Sequence, residues 1–184
     1  MNRLENWFCG TKFWRGVTAN RLLPWMLEGS DLGDRVLEIG SGAGAATRAL
    51  RQKFPSVTSL EYRGAFAFEL LKDARCVQGD AAALPFANES FTCAIAILVL
   101  HHLRSRELQD RAFAEILRVL KPGGSFLAFE IPDGWFARRL HIGSTFVPVP
   151  PASAGARLSA AGFSRVAVTF RPGAFVLRAV RANS

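Results

Sequence analysis

Val36-Leu37-Glu38-Ile39-Gly40-Ser41-Gly42-Ala43-Gly44 decides how this chain folds. Residues 35–39 read as a short buried strand, and three glycines follow at alternate positions. Glycine reaches left-handed backbone without a Cβ penalty, so the strand can turn sharply and bring its backbone close to a ligand. With Ala45 at the last position, the spacing also fits a loose G-x-G-x-x-A fingerprint. Glu38 sharpens that reading. A carboxylate two residues before the first glycine lies near the carboxyl end of a buried strand, where it needs hydrogen-bond donors. It would repel a phosphate and suit a ligand bearing an ammonium group.

Outward from this turn the chain alternates. Residues 45–54 read as a helix ended by Pro55, 57–62 as a strand, 65–73 as a helix and 76–79 as a short strand. Residues 91–100 form a long apolar strand. Ser105 is placed to cap a helix that runs to about Leu120, with Phe113, Ile116, Leu117 and Leu120 on one face. Lys121-Pro122-Gly123-Gly124 stops it, and 125–130 is another strand. Strands alternating with helices imply a parallel sheet covered on both faces. Residues 163–170 and 174–180 differ, because Arg171-Pro172-Gly173 is too short a link for anything but an antiparallel hairpin.

Ligands of such sheets bind at the carboxyl ends of the strands, near the topological switch. Glu61 lies at the end of the second strand, 21 positions after Gly40, where an acid suits ribose hydroxyls. Asp80, in Gly79-Asp80-Ala81, follows the third strand by 19 positions from Glu61 and can accept from an exocyclic amine such as adenine N6. Singly, each acid reads equally well as a surface or turn residue. Together with Glu38 they ask for a ligand with an amine, a ribose and an adenine, and no pyrophosphate.

At this point the chain resembles the class I S-adenosylmethionine-dependent methyltransferases. The matching motifs are VLEIGSGAG (36–44), Glu61, GDAAALPF (79–86), FTCAIAILVLHHL (91–103) and LRVLKPGGSFLAFE (117–130). The closest flavour is the small-molecule branch that includes quinone-biosynthesis and phospholipid N-methyltransferases. The resemblance implies a Rossmann-like three-layer α/β/α sandwich whose seven-stranded, mostly parallel sheet has an antiparallel last strand. It implies S-adenosyl-L-methionine as donor and S-adenosyl-L-homocysteine as product. By the same resemblance, Glu38, Gly40 and Gly42 lie against the methionine and ribose, Glu61 holds the ribose, and Asp80 with Ala81 frames the adenine. Ser41, Gly44, Tyr62 and Ala96 complete the implied contacts. Two departures stand out: Thr92 replaces a frequent Asp, and Ala96-Ile97 replaces a polar position. Both point to a more apolar acceptor site with one polar handle fewer.

A general base is needed only if the acceptor must lose a proton. Glu130 at the end of the fifth strand, His141 in the next connection and His101 after the fourth strand are the candidates. His101-His102 is common in the family with varied acceptors, so packing or capping is its plainer role. Residues 1–29 and 131–156 remain to build the acceptor pocket, and Trp7, Phe8, Trp14, Trp25, Trp135, Phe136 and Phe146 supply its aromatics. They serve either as packing on the sheet edge or as an apolar lid. Pro148-Val149-Pro150-Pro151 reads as extended chain.

Composition sets the remaining bounds. The 184 residues fit one domain, 1–184, with an amphipathic helical segment at 1–30 covering the site and a Rossmann-like core at 31–184. The formal charge of +8 divides into +3 over residues 1–27, −2 over 28–133 and +7 over 134–184. Such a balance suggests an anionic partner. Yet 98–102 reads Leu-Val-Leu-His-His, without the Asn/Asp-Pro-Pro-Tyr/Phe segment of base-amino methyltransferases. A nucleic-acid substrate is therefore disfavoured. Cys9, Cys76 and Cys93 form no CxxC pair, so neither a disulfide framework nor a metal site is expected. No apolar run reaches 18 residues and no leader is evident, so a cytoplasmic location is expected. The leading expectation is methyl transfer to a small apolar, aromatic or lipid-like acceptor. The alternatives are a membrane-surface phospholipid N-methyltransferase contacting lipid through its N-terminal segment, an RNA methyltransferase, and a non-catalytic cofactor-binding partner subunit.

Overall fold

The chain is described by a computed structural model over residues 3–63 and 75–183. The helix expected at 65–73 lies outside the described residues. Strand β1 (Arg35–Ile39) is buried at four of its five positions, as a parallel strand covered on both faces must be. The others are β2 (Ser56–Glu61), β3 (Cys76–Gln78), β4 (Phe91–Ile97), β5 (Leu120–Glu130), β6 (Phe163–Arg171) and β7 (Ala174–Arg181). Their order is β3-β2-β1-β4-β5-β7-β6. The first five pair in parallel, and β7 is antiparallel to both β5 and β6. This is the expected seven-stranded sheet with its terminal hairpin. Chain order reverses between β1 and β4, so their carboxyl ends flank the switch point.

Side chains alternate across the strands. Leu37, Ile39, Ala94 and Ala96 face a core completed by Phe113 and Ile116 of helix α5 (Arg106–Val119) and Leu158 of α7 (Pro151–Ala160). On the other face, Val36, Cys93 and Ile95 meet Leu50 of α4 (Ala45–Lys53) and the N-terminal segment. That segment comprises α1 (Arg3–Gly10), α2 (Lys12–Val17), a π-helical turn (Thr18–Leu22) and α3 (Leu23–Leu27). Cys93 is the fully buried small core residue its setting suggests. Ser105 caps α5 by accepting from the Leu108 amide.

Besides the start of β5 at Leu120 instead of 125, four features differ from the sequence reading. Strand β4 stops at Ile97, not at 100: Leu98 turns left-handed (φ +56°) and Leu100–His102 form a 3₁₀ turn. The amides of Val99 and Leu100 leave the sheet to bind the Glu130 carboxyl group. Helices α6 (Trp135–Leu140) and α7 stand where the sequence signals only connecting chain. The prolines keep the chain extended only as far as Pro150, since Pro151 occupies the first turn of α7, where its missing N–H is harmless. Finally, Thr92 lies at the amino end of β4, away from the switch point. Its hydroxyl accepts from Arg35 N and donates to Leu32 O, pinning the turn before β1. The Thr92 departure therefore removes no polar handle for an acceptor.

The terminal arginines are largely absorbed by the fold. Arg157 binds Asp110, Gln109 and the Arg106 carbonyl. Arg178 donates to Trp25 O, Arg181 donates to Leu120 O and pairs with Glu89, and the Arg171 guanidinium stacks 4.6 Å over Trp25. Three of these four make specific hydrogen bonds, so the +7 surplus over 134–184 is not a free basic stripe.

Candidate active site

The carboxyl ends of β1, β4 and β5 open on a cavity of about 670 Å³, within the range of small-molecule sites. The glycine turn forms one wall. Gly40, Gly42 and Gly44 all have positive φ. At Gly40 a Cβ would sit 2.4 Å from Val99 Cγ2, so the missing side chain is what lets this turn pack against the segment after β4. At Gly42 a Cβ would meet no atom of the described residues within 4 Å. The first glycine thus serves packing, and the second leaves backbone open toward the cavity.

Glu38 is buried behind the turn. Its Oε2 accepts from Thr47 Oγ1 at 2.6 Å and Ser59 Oγ at 2.8 Å, and burial raises its pKa above the ordinary carboxylate range despite those hydroxyls. Ser41 also lines the cavity, and its buried Oγ has no nitrogen or oxygen partner among the described residues, only the Cys76 thiol nearby. Glu61 closes the turn from β2: Oε2 accepts from Gly42 N at 2.8 Å and Oε1 from Arg63 N at 3.0 Å. Each carboxyl oxygen keeps a further lone pair. Asp80 Oδ1 accepts from Ala82 N.

Of the residues singled out in the sequence, Glu38, Gly40, Ser41 and Gly42 line the cavity, with His101 and His141 opposite them. Glu61, Tyr62, Asp80 and Ala81 lie outside that lining, on the β2 and β3 side of the turn. Ala96 is not brought to the cavity, since it is fully buried in the α5-side core and Ile97 and Leu98 take its place. Glu130 is also fully buried. Its Oε1 accepts from Val99 N (3.1 Å) and Leu100 N (2.8 Å), and its Oε2 meets His101 Nδ1 at 2.5 Å. Glu130 therefore reaches the cavity only through His101.

The N-terminal segment supplies the roof. Glu5, Trp7, Phe8, Trp14 and Thr18 line the cavity, faced by Phe136 of α6. Trp25 and Phe146 pack elsewhere: Trp25 meets Phe129 edge-on, and Phe146 stacks on His141 at 4.4 Å. What the sequence reading missed is that His141 joins His101 and His102. His141 Nε2 lies 3.2 Å from His101 Nε2, and all three rings are clustered. Burial pushes His102 down to about 3 and also lowers His141, so both rings are neutral at ordinary pH. His141 follows His101 by forty positions, and the short α6 that places it has too few residues to leave a strong periodic signal.

Comparisons with known proteins agree with this geometry. A family model described as a methyltransferase domain matches residues 37–128, half of the chain. A demethylmenaquinone methyltransferase of Renibacterium salmoninarum is 32% identical over 133 residues, covering 68% of this chain and 51% of that protein. A ubiquinone/menaquinone biosynthesis C-methyltransferase of Legionella pneumophila is 34% identical over 110 residues, covering 53% and 43%. The chain thus spans about half the length of the curated relatives it matches. Among solved structures, a SAM-dependent methyltransferase of Thermotoga maritima superposes with a TM-score of 0.74 at 19% identity, covering 98% of this chain and 100% of that one. At that identity the likeness is one of fold. No helix among the described residues is long and apolar enough to cross a membrane.

Proposed function

Since the chain belongs to the class I S-adenosyl-L-methionine-dependent methyltransferases, we propose that it transfers the donor's methyl group to a small apolar acceptor, aromatic or lipid-like. The observation that carries this reading is the single cavity shared by the open face of the glycine turn and a wall of aromatic side chains. The residues present fit the donor. Gly42 leaves room beside its α-carbon, Ser41 Oγ has no nitrogen or oxygen partner among the described residues, and Glu61 keeps accepting capacity on both oxygens. Glu38, Gly40, Ser41 and Gly42 would face the amino-acid part, Gly44 would complete the turn, and Glu61 would take the ribose hydroxyls. Tyr62, Asp80 and Ala81 would border the adenine.

The donor supplies a methyl group on a sulfonium and leaves as S-adenosyl-L-homocysteine. The chain's own contribution is to align the acceptor and keep water away from it. Trp7, Phe8, Trp14 and Phe136 give the acceptor an apolar wall, and their π faces favour a nearby cation. His101 and His141 are the polar groups that meet the acceptor's reacting atom. Glu130 orients His101 without touching the acceptor, so it acts as a positioning residue.

Quinone-biosynthesis relatives favour a quinol or phenol ring as the first acceptor class to test. The purified chain should release S-adenosyl-L-homocysteine when given S-adenosyl-L-methionine and prenylated or unprenylated hydroquinones. Release no faster than without acceptor, across hydroquinones, phenols and amines, would count against the reading. A second reading, methylation at a lipid surface, is favoured by the exposure of Trp7 and Phe136, which line the cavity, and of Phe13 and Trp135, in segments that also carry Lys12, Arg15 and Arg139. Co-sedimentation with anionic vesicles that is lost on deleting residues 1–29 would support it, and no binding by the full chain would discard it.

A further inference from the structure

We propose that His101, His102 and His141 bind one divalent transition-metal ion, Zn²⁺ first among them, through one nitrogen each. One ligand nitrogen from each ring lies within 4.8 Å of the other two. The closest pair, His101 Nε2 and His141 Nε2, is 3.2 Å apart. Two imidazole nitrogens on one tetrahedral Zn²⁺ at roughly 2.0–2.1 Å would be about 3.3 Å apart.

The outer nitrogens make the stronger case. His101 Nδ1 faces Glu130 Oε2 at 2.5 Å, His102 Nδ1 faces Thr145 O at 3.0 Å, and His141 Nδ1 faces Ala137 O at 2.7 Å. A carbonyl can only accept, and Glu130 already accepts from two backbone amides through its other oxygen. Each Nδ1 is therefore the donor, and in a neutral ring that leaves each Nε2 as a lone pair. Two such lone pairs at 3.2 Å repel unless a cation lies between them. Holding the outer N–H of each ligand histidine on a carboxylate or carbonyl is how metal sites fix tautomer and ring orientation.

Charge and access agree. The Glu5 carboxyl group stands 3.7 Å from His141 Nε2 and also accepts from Ser144 Oγ, placing a negative group beside the trio. All three rings line the cavity, so a fourth coordination position opens toward the acceptor space. Three imidazoles with one open position suit Zn²⁺ acting on a bound oxygen or nitrogen. With the ion in place, the histidines act on the acceptor through the metal and not as free bases. The rival account places a single proton between His101 and His141.

Ion binding at these nitrogens needs neither donor nor acceptor, so it is measured on the full chain alone. The chain is stripped with a chelator and titrated with Zn²⁺ against a chromophoric competitor, then with Co²⁺ while its visible spectrum is recorded. One Zn²⁺ per chain is expected, with a Co²⁺ spectrum of the intense four- or five-coordinate type. Zn²⁺ should raise the melting temperature of the wild-type chain and not of His102→Ala. Glu130→Gln, which removes no ligand, should weaken Zn²⁺ binding about 10–100-fold. A wild-type chain that takes up no stoichiometric Zn²⁺, or holds Co²⁺ only with the weak spectrum of the hydrated ion, leaves the shared-proton account and overturns the proposal. That result stands even if a variant fails to fold. Homocysteine-product binding without Zn²⁺ binding would overturn the metal site alone, and the reverse would overturn the methyl-transfer reading alone.

Discussion

Glu130→Ala is the substitution that most exposes how the acceptor side of the cavity is held. The lost carboxyl group leaves the Leu100 amide buried without an acceptor and the Val99 amide partly so. Each orphaned N–H costs about 1–3 kcal/mol, and His101 Nδ1 loses its partner as well. Water entering from the adjoining cavity recovers part of this, so a net loss of about 3–5 kcal/mol is expected. A domain of typical stability survives it, since that stability is roughly 5–15 kcal/mol. For a chain of this length the melting temperature should fall by roughly 6–20 °C. Urea unfolding of the full chain measures the loss directly, with an unchanged m-value confirming that the native state keeps its compactness. Glu130→Gln separates the contributions. Its amide oxygen still accepts from both backbone amides, while its NH₂ faces the His101 Nδ1 proton, so about 1–2 kcal/mol should be lost. If Glu130→Ala lies within 1 kcal/mol of the wild type, Glu130 does not anchor the segment after β4 and the reasoning fails.

Other substitutions test the donor side and its electrostatics. Gly40→Ala places a Cβ 2.4 Å from Val99 in a left-handed backbone position; it should abolish binding of the homocysteine product in calorimetry, and wild-type affinity would contradict the packing role. Glu61→Ala should weaken the same ligand about tenfold or more, since each hydrogen bond to a charged acceptor is worth roughly 1.5–3 kcal/mol. Glu38 is raised above its ordinary 4.5, so it holds its proton more tightly folded than unfolded. Its contribution is full below that value and is lost as pH rises through the folded pKa. Unfolding curves of wild type and Glu38→Gln should therefore diverge in favour of the variant as pH rises from about 4.5, and a constant difference would contradict the raised value.

Much of the architecture is legible in local signals. The glycine turn, the Ser105 cap and the three-residue link before β7 each rest on a short-range rule, and the sheet follows from them. The acceptor side is less so. Strand β4 ends early because Glu130, some 30 residues further on, captures the Val99 and Leu100 amides, a competition invisible to apolar patterning. Helix α6 has six residues and no side-chain cap, so its periodicity is weak. The run Pro148–Pro151 reads as extended chain, yet its last proline starts a helix. The histidine cluster depends on where α6 returns the chain. Thr92 shows the opposite error: a position judged by its family counterpart fulfils a local role at the far end of its strand.

Calorimetric titration of the full chain with S-adenosyl-L-homocysteine tests the central claim most directly. Saturable binding of one molecule per chain, with a dissociation constant well below millimolar and reduced by Glu61→Ala, is the predicted result. Absence of binding up to millimolar ligand would contradict the assignment of the glycine turn and Glu61 to a methyl-donor site.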